Sequence, residues 1–197
     1  MSLEGRAIGI ALTGSHCTVP EVVPIIDNLV ESGAAVTVIM SASVASTDTR
    51  FGKAQDLCEH LERITGNQVI DTIAKAEPIG PKRMFECLAV APCTGNTLAK
   101  LALGIIDTVV TMAAKAHLRN GRPLVIGVST NDGLAGSAPN IGTLLCKKNV
   151  YFVPFGQDDP LGKPNSLVFR VSDLVQAIEL ALEGRQMQPI LVDNRKR

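Results

Sequence analysis

The stretch APCTGNTLAKLALGIIDTVV, residues 91–110, decides how the chain is interpreted. An apolar run ends at Pro92, five small residues, most of them polar, follow at 93–97, and apolar residues then recur at helical spacing. A buried strand that leads directly into a helix in this way presents unpaired amide N–H groups and the positive end of a helix dipole. We therefore expect this junction to bind an anionic group such as a phosphate.

The same alternation continues on both sides of this stretch. Apolar runs at 7–12, 34–40, 86–91, 123–128 and 150–154 predict strands, and amphipathic segments at 19–32, 52–66, 94–103, 107–119, 133–148 and 171–184 predict helices. Continuous apolar strands that alternate with helices are typical of a parallel sheet covered on both faces. We predict one three-layer α/β domain over residues 1–197, Rossmann-like or flavodoxin-like, with a basic C-terminal tail at 186–197.

Composition and charge exclude several classes of function. The chain has 197 residues with a formal net charge of zero, so no basic surface points to nucleic acid. No apolar stretch of ~20 residues predicts a membrane span. The five cysteines are scattered without a C-x-x-C pair, which argues against disulfides and zinc and favours a reducing cytoplasm. No metal site is expected.

Four predicted strands end in the same kind of small polar residue. These ends are Thr13-Gly14-Ser15, Ser41 with Ser43, Thr94-Gly95-Asn96-Thr97 and Ser129-Thr130-Asn131. Helix capping explains any one of them, but four at one sheet edge favour a phosphate-bearing ligand. The dinucleotide pattern G-x-G-x-x-G is absent after the first strand, and the P-loop pattern is absent too. A mononucleotide or flavin mononucleotide (FMN) remains.

The central stretch resembles the signature P-x-S-x-N-T-[IL]-A-K-x-A-x-G-I-x-D of the homo-oligomeric flavin-containing cysteine decarboxylase superfamily. The matching positions are Pro92, Asn96, Thr97, Ala99, Lys100, Gly104, Ile105 and Asp107, with Thr94 in place of the usual Ser. Two departures argue against decarboxylation of a cysteine-derived substrate. Residues 77–86 lack the His of those enzymes, and VSTN at 128–131 keeps only Asn131 of their P-A-M-N motif.

A narrower resemblance covers nearly the whole chain. The segments 9–18, 91–110, 131–145 and 154–167 resemble the B subunits of dipicolinate synthases from spore-forming bacteria. This resemblance implies an FMN-binding oxidoreductase subunit in a trimer-based homo-oligomer, in the mother-cell cytoplasm during sporulation. It also implies a partner A subunit with a nicotinamide cofactor, and oxidation of a small cyclic dicarboxylate of the lysine pathway to dipicolinate. A flavin-dependent decarboxylase and a non-catalytic phosphate- or flavin-binding partner subunit remain as alternatives.

The resemblance also implies roles for individual residues. The expected cofactor-binding residues are Thr13, Gly14, Ser15, Ser41, Ser43, Thr94, Asn96, Thr97, Ser129 and Thr130. The catalytic residues are unknown, with two candidates: His16 as an acid or base and Arg83 as a receptor for a dicarboxylate. A loop-edge position for His16 and a solvated turn for Arg83 stay open.

Four further interpretations concern residues outside this set. Cys93 is interpreted as a buried filler, with a redox role as the alternative, and His60 and His117 are expected on the surface. The turn-rich segment 154–166 is predicted to be a functional loop, because ordinary connections are shorter. Within it, the pair Asp158-Asp159 is interpreted as a subunit contact or an Asx-type turn.

Overall fold

The computed structural model describes residues 2–194 and places seven strands in one sheet. The strands are β1 (Ala7–Leu12), β2 (Ala35–Met40), β3 (Cys87–Cys93), β4 (Leu124–Thr130), β5 (Val150–Phe152), β6 (Phe155–Gly156) and β7 (Leu167–Phe169). The helices are α1 (Val19–Glu31), α2 (Ala42–Ser46), α3 (Ala54–Thr65), α4 (Ile73–Ala76), α5 (Gly95–Leu103), α6 (Val109–Leu118), α7 (Ala138–Leu145) and α8 (Leu174–Leu182). Short 3₁₀ turns lie at Glu77–Ile79 and Val171–Asp173.

The first five strands run parallel in the order β2-β1-β3-β4-β5. This is the order of flavodoxin-like folds, and it reverses direction between β1 and β3. Ligands of such folds bind beyond the carboxyl ends of the strands at the point of reversal. The predicted parallel α/β fold is confirmed, and the junction quoted above lies at that point.

Helices cover both faces of the sheet. Helices α1 and α8 contact each other and β3, while α5, α6 and α7 form a second group that contacts β3, β4 and β5. All seven residues of β3 are buried, as expected for a central strand between two helical layers. The core is aliphatic, with Phe85, Phe152 and Phe169 among its largest fully buried side chains.

An antiparallel extension continues from the end of β4, and the sequence did not predict it. Ser129 pairs with Val168 and Thr130 pairs with Leu167, and β7 then pairs with β6. Strands of two and three residues are too short to show a hydrophobic period, which is why the sequence predicts only a loop in this region. The pairing brings the connection between β6 and β7 back to the carboxyl end of β4.

Two other segments differ from the sequence-based expectation. The helix predicted at 133–148 begins only at Ala138, because residues 131–137 form turns in which the Asp132 carbonyl accepts the N–H of Ser137. The predicted tail at 186–197 contacts the sheet over its described part. The Gln186 side chain bonds the backbone N and O of Phe152 at 2.8 and 2.7 Å. Residues 195–197 of that prediction lie outside the described residues.

Within residues 2–194, no helix combines the length and the apolar character that a membrane span requires.

Candidate functional site

The ends of β1 and β3 are held together by the side chain of Thr13. Its hydroxyl donates to the carbonyl of Pro92 at 2.8 Å and accepts the N–H of Thr94 at 3.0 Å. Thr13 is 1% exposed. Thr13 therefore braces the two strand ends and has no hydroxyl proton left for a ligand, which corrects its predicted role as a donor.

A main cleft of about 570 Å³ opens beside this brace. It lies within the range of roughly 300–1,000 Å³ that is usual for ligand pockets. Seven of the ten predicted cofactor-binding residues line it: Thr13, Gly14, Ser41, Ser43, Thr94, Asn96 and Thr97. The structure thus brings the ends of β1, β2 and β3 together as predicted from the polar strand ends.

The close approach of β1 and β2 at this cleft depends on Gly14. A Cβ atom at position 14 would lie 2.8 Å from the hydroxyl oxygen of Ser43. The Ser43 hydroxyl in turn lies 3.1 Å from that of Ser41. Two hydroxyls and an open backbone are thereby concentrated in one corner of the main cleft, an arrangement suited to hydrogen bonding phosphate oxygens.

The start of α5 forms the opposite wall of the main cleft. Thr94 is the N-cap, and its hydroxyl accepts the N–H of Thr97 at 3.4 Å while lying 3.2 Å from the Thr97 hydroxyl. The first N–H groups of a helix have no acceptor inside the helix, and they carry its positive dipole end. The residues present fit FMN at this cleft, because hydroxyls and free amides meet beside a space of sufficient volume.

A second cleft of about 330 Å³ shares Gly14 and Thr94 with the main cleft. It takes in the remaining predicted residues, Ser15, Ser129 and Thr130, together with His16, Asn131 and loop residues from the β6–β7 connection. The sequence predicted one site along this edge, but the structure divides the predicted residues between two adjoining clefts.

Three hydroxyl groups form a triangle in the second cleft. Ser15 lies 2.8 Å from Ser129 and 3.0 Å from Thr18, and Thr18 lies 3.0 Å from Ser129. Thr18 and Ser129 are buried. Sequence analysis missed Thr18, although it directly follows the polar loop after β1. The triangle ties the start of α1 to the end of β4 across the end of β3.

Asp132 is a second residue that sequence analysis missed. Its Oδ1 accepts hydrogen bonds from Thr130 at 2.5 Å and from Ser137 at 2.8 Å. These two hydrogen bonds, that from Thr130 first, lower the pKa of the Asp132 carboxyl. A Cβ on Gly95 would lie within 2.7 Å of the Thr130 hydroxyl. Asp132 therefore organises the polar group directly beneath the start of α5.

The structure does not bring Arg83 to either cleft. Arg83 precedes β3, and its backbone carbonyl accepts from the guanidinium of Arg122, which precedes β4. Because β3 and β4 are parallel, both residues lie at the amino ends of the strands, on the edge opposite the clefts. The candidate role of Arg83 is thus corrected, whereas His16 lies in the second cleft as expected.

The remaining chemically reactive residues have structural environments. Cys93 is fully buried, and burial raises the pKa of its thiol, so it is a filler and not a thiolate. Lys100 bonds both carboxylate oxygens of Asp107 at 2.8 Å. His117 is 1% exposed, so its predicted surface position is wrong. Among the described residues, no group of three or more His, Cys, Asp or Glu side chains is placed to hold a metal ion.

Comparison with known proteins places this geometry in a family. The flavoprotein family model matches residues 1–135. The B subunit of dipicolinate synthase from Bacillus subtilis (strain 168) is 50% identical over 193 residues, which cover 98% of this chain and 96% of that protein. In the crystal structure of its counterpart from Bacillus halodurans C, the dipicolinate synthase B subunit is 48% identical with a TM-score of 0.90, covering 98% of this chain and 99% of that chain.

A more distant structure shares the fold. A dodecameric FMN-dependent UbiX-like decarboxylase from Escherichia coli O157:H7 has a TM-score of 0.60 and 22% identity, and the match covers 75% of this chain and 79% of that chain. The two dipicolinate synthase proteins, by contrast, match this chain almost end to end at about half identity. The chain therefore belongs to the flavoprotein family and, within it, to the family of dipicolinate synthase B subunits.

Proposed function

We propose that this chain is the FMN-binding B subunit of a two-subunit dipicolinate synthase. Together with an A subunit that carries a nicotinamide cofactor, it oxidises a cyclic dihydrodipicolinate-type intermediate of the lysine pathway to dipicolinate. The observation that carries the proposal is the 50% identity to the B. subtilis protein over 98% of this chain. We further propose a trimer-based homo-oligomer that acts in the mother-cell cytoplasm during sporulation.

The main cleft is the proposed FMN site. Gly14, Ser41 and Ser43 would surround the phosphate with N–H and hydroxyl donors. Thr97 and Asn96, at the start of α5, would bond the ligand from the opposite wall, where the helix dipole favours an anion. The match of residues 1–135 to the flavoprotein family supports this assignment, since all these residues fall within that range.

The proposed reaction removes one hydride and one proton from a dihydropyridine ring, which leaves an aromatic pyridine. FMN, when bound, supplies an acceptor for two electrons, and the nicotinamide cofactor of the A subunit supplies another. The chain itself lacks the dinucleotide pattern, so the nicotinamide cofactor belongs to the partner in this proposal. His16 lies in the second cleft, where an imidazole can take up the proton.

An assay with separated subunits tests the proposal. Each subunit is supplied with the cyclic intermediate and both cofactors, alone and then mixed, and the pyridine absorbance is followed. We expect full activity only in the mixture, and a flavin absorption band in the purified chain after FMN is added. Full activity from the A subunit alone, or activity on a cysteine-derived carboxylate by this chain, would contradict the proposal.

A further inference from the structure

The loop between β6 and β7 is braced by its own hydrogen bonds. The amide of Gln157 donates to the Pro164 carbonyl at 2.8 Å, and the carboxylate of Asp159 accepts the N–H of Gly162 at 2.9 Å. Asn165 accepts the N–H of Leu134 at 3.0 Å, which attaches the loop to the turn after β4. Asp159 therefore forms an Asx-type turn, one of the two interpretations that its sequence allows, and the loop has a defined backbone.

This braced loop places Lys163 on the second cleft. Lys163 lines the cleft together with His16, Asn131 and the hydroxyl triangle, and no other Lys or Arg within residues 2–194 does so. Its Nζ lies 3.8 Å from Oδ2 of Asp158. That separation is about 1 Å longer than a charge-assisted hydrogen bond, so the ammonium retains donors for a ligand.

We propose that Lys163 binds a carboxylate of a planar heterocyclic dicarboxylate seated in the second cleft. The inference rests on the proposed function, because that reaction requires an anionic ring beside the FMN site. The ammonium meets one ligand carboxylate from the loop side. The hydroxyl groups of Ser15 and Ser129 and the amide of Asn131 provide neutral hydrogen-bonding groups for the rest of the ligand at the sheet edge.

The assignment replaces the cation that the sequence suggested for this purpose. Arg83 lies at the opposite edge of the sheet, whereas Lys163 lies in the cleft that shares Gly14 and Thr94 with the proposed FMN site. A ligand in the second cleft would thus border the cofactor, as a hydride transfer between the two requires. The turn-rich segment 154–166 acquires a specific role in this way: it presents the cation.

Binding of pyridine-2,6-dicarboxylate measured by calorimetry tests the inference. The FMN-loaded chain is used alone and in complex with the A subunit, with the variants Lys163→Met and Lys163→Arg. The matched control is Lys148→Met, an exposed lysine outside the cleft. We expect Lys163→Met to weaken binding at least about tenfold, because a hydrogen-bonded charge is lost. Lys163→Arg and Lys148→Met are expected to stay within about threefold of the unmodified chain.

A neutral analogue and an independent FMN titration make the result decisive. Pyridine-2,6-dicarboxamide carries no charge, so its binding is expected to be equal in Lys163→Met and the unmodified chain. Equal loss of dicarboxylate affinity in Lys163→Met and Lys148→Met, or no dicarboxylate binding in either the chain or the complex, would overturn the inference. Failure to bind FMN, measured separately, would instead overturn the proposed function, and a Lys163-dependent dicarboxylate site would survive that result.

Discussion

The hydroxyl oxygens of Ser15 and Ser129 lie 2.8 Å apart, although 114 positions separate the two residues in the chain. Ser15 follows β1 and Ser129 lies near the end of β4, and β3 stands between those strands in the sheet. The contact therefore passes over the end of β3, and Thr18 completes it with 3.0 Å contacts to both serines. Two distant parts of the chain are joined directly at the second cleft.

Removing the Ser129 hydroxyl is expected to destabilise the protein. Ser129 is 6% exposed, so Ser129→Ala leaves the buried hydroxyl of Thr18 with one partner fewer. We expect a loss of about 1 kcal/mol in the free energy of unfolding, measured by urea denaturation. Ser172→Ala, at an exposed serine on the 3₁₀ turn before α8, is the matched control and should change stability by a few tenths of that. Similar losses in both variants would argue against the triangle.

The sequence predicted which strand ends are polar, but it did not predict how they are shared between clefts. Parallel alternation required the ends of β1, β3 and β4 to lie at one edge, and the structure places them there. The second cleft also depends on β7, whose three residues pair antiparallel with the end of β4. Such a pairing arises from tertiary packing and leaves no period in the sequence.

Replacement of Thr97 by Val tests the main cleft. Val keeps the shape of the side chain and removes the hydroxyl that faces Thr94 at 3.2 Å. If this hydroxyl bonds the flavin, the loss should be ~1 kcal/mol, or about fivefold in FMN affinity. Quenching of FMN fluorescence on titration measures it. Thr143→Val on the exposed side of α7 serves as the control, and equal affinities for FMN in the two variants would count against the site.

Gly14 and Ser43 are expected to act as a coupled pair in FMN binding. In Gly14→Ala the new Cβ would lie 2.8 Å from the Ser43 hydroxyl oxygen, which must then rotate away from its present position. Each of Gly14→Ala and Ser43→Ala should weaken FMN binding by about fivefold. The double variant should be no more than about twofold weaker than Ser43→Ala, because the Ser43 Cβ lies at an ordinary 3.6 Å from the added methyl group.

The measurement for this pair is a double-mutant cycle on the FMN dissociation constant. Coupled sites give a combined effect smaller than the sum of the single effects. Fully additive losses would show that the two residues act independently and would contradict the close approach of β1 and β2 at this corner. Unfolding curves of the same variants provide the control, since Gly14 has no left-handed backbone angle that alanine would strain.

Residues at the amino ends of the strands are harder to interpret from sequence than those at the carboxyl ends. His117 and Arg83 both stand among charged neighbours in the sequence, which favours a surface position for one and a ligand role for the other. In the fold, His117 turns inward from α6 against Phe85, and Arg83 is held near Arg122. Local charge does not report which face of a helix is buried.

His117 is expected to make the protein sensitive to acid. Its Nε2–H donates to the Pro123 carbonyl at 2.9 Å. Burial, opposed by this hydrogen bond and assisted by Arg122, lowers the pKa of the imidazole from 6.5 to about 4. Because the folded-state pKa is depressed, the unfolded chain binds a proton first as the pH falls below 6.5. Stability is therefore complete above pH 6.5 and declines until the pH reaches about 4, by up to about 3 kcal/mol in total.

The variant His117→Gln isolates this effect. Glutamine retains an amide donor for the Pro123 carbonyl and has no group that titrates in this range. We expect the free energy of unfolding of the unmodified chain to fall by about 2 kcal/mol more than that of His117→Gln between pH 7.5 and pH 5. His60→Gln on α3, where the imidazole contacts Arg63, is the control and should follow the unmodified chain. Identical pH dependence in His117→Gln and the unmodified chain would mean that His117 titrates alike in the folded and unfolded states, contrary to its burial.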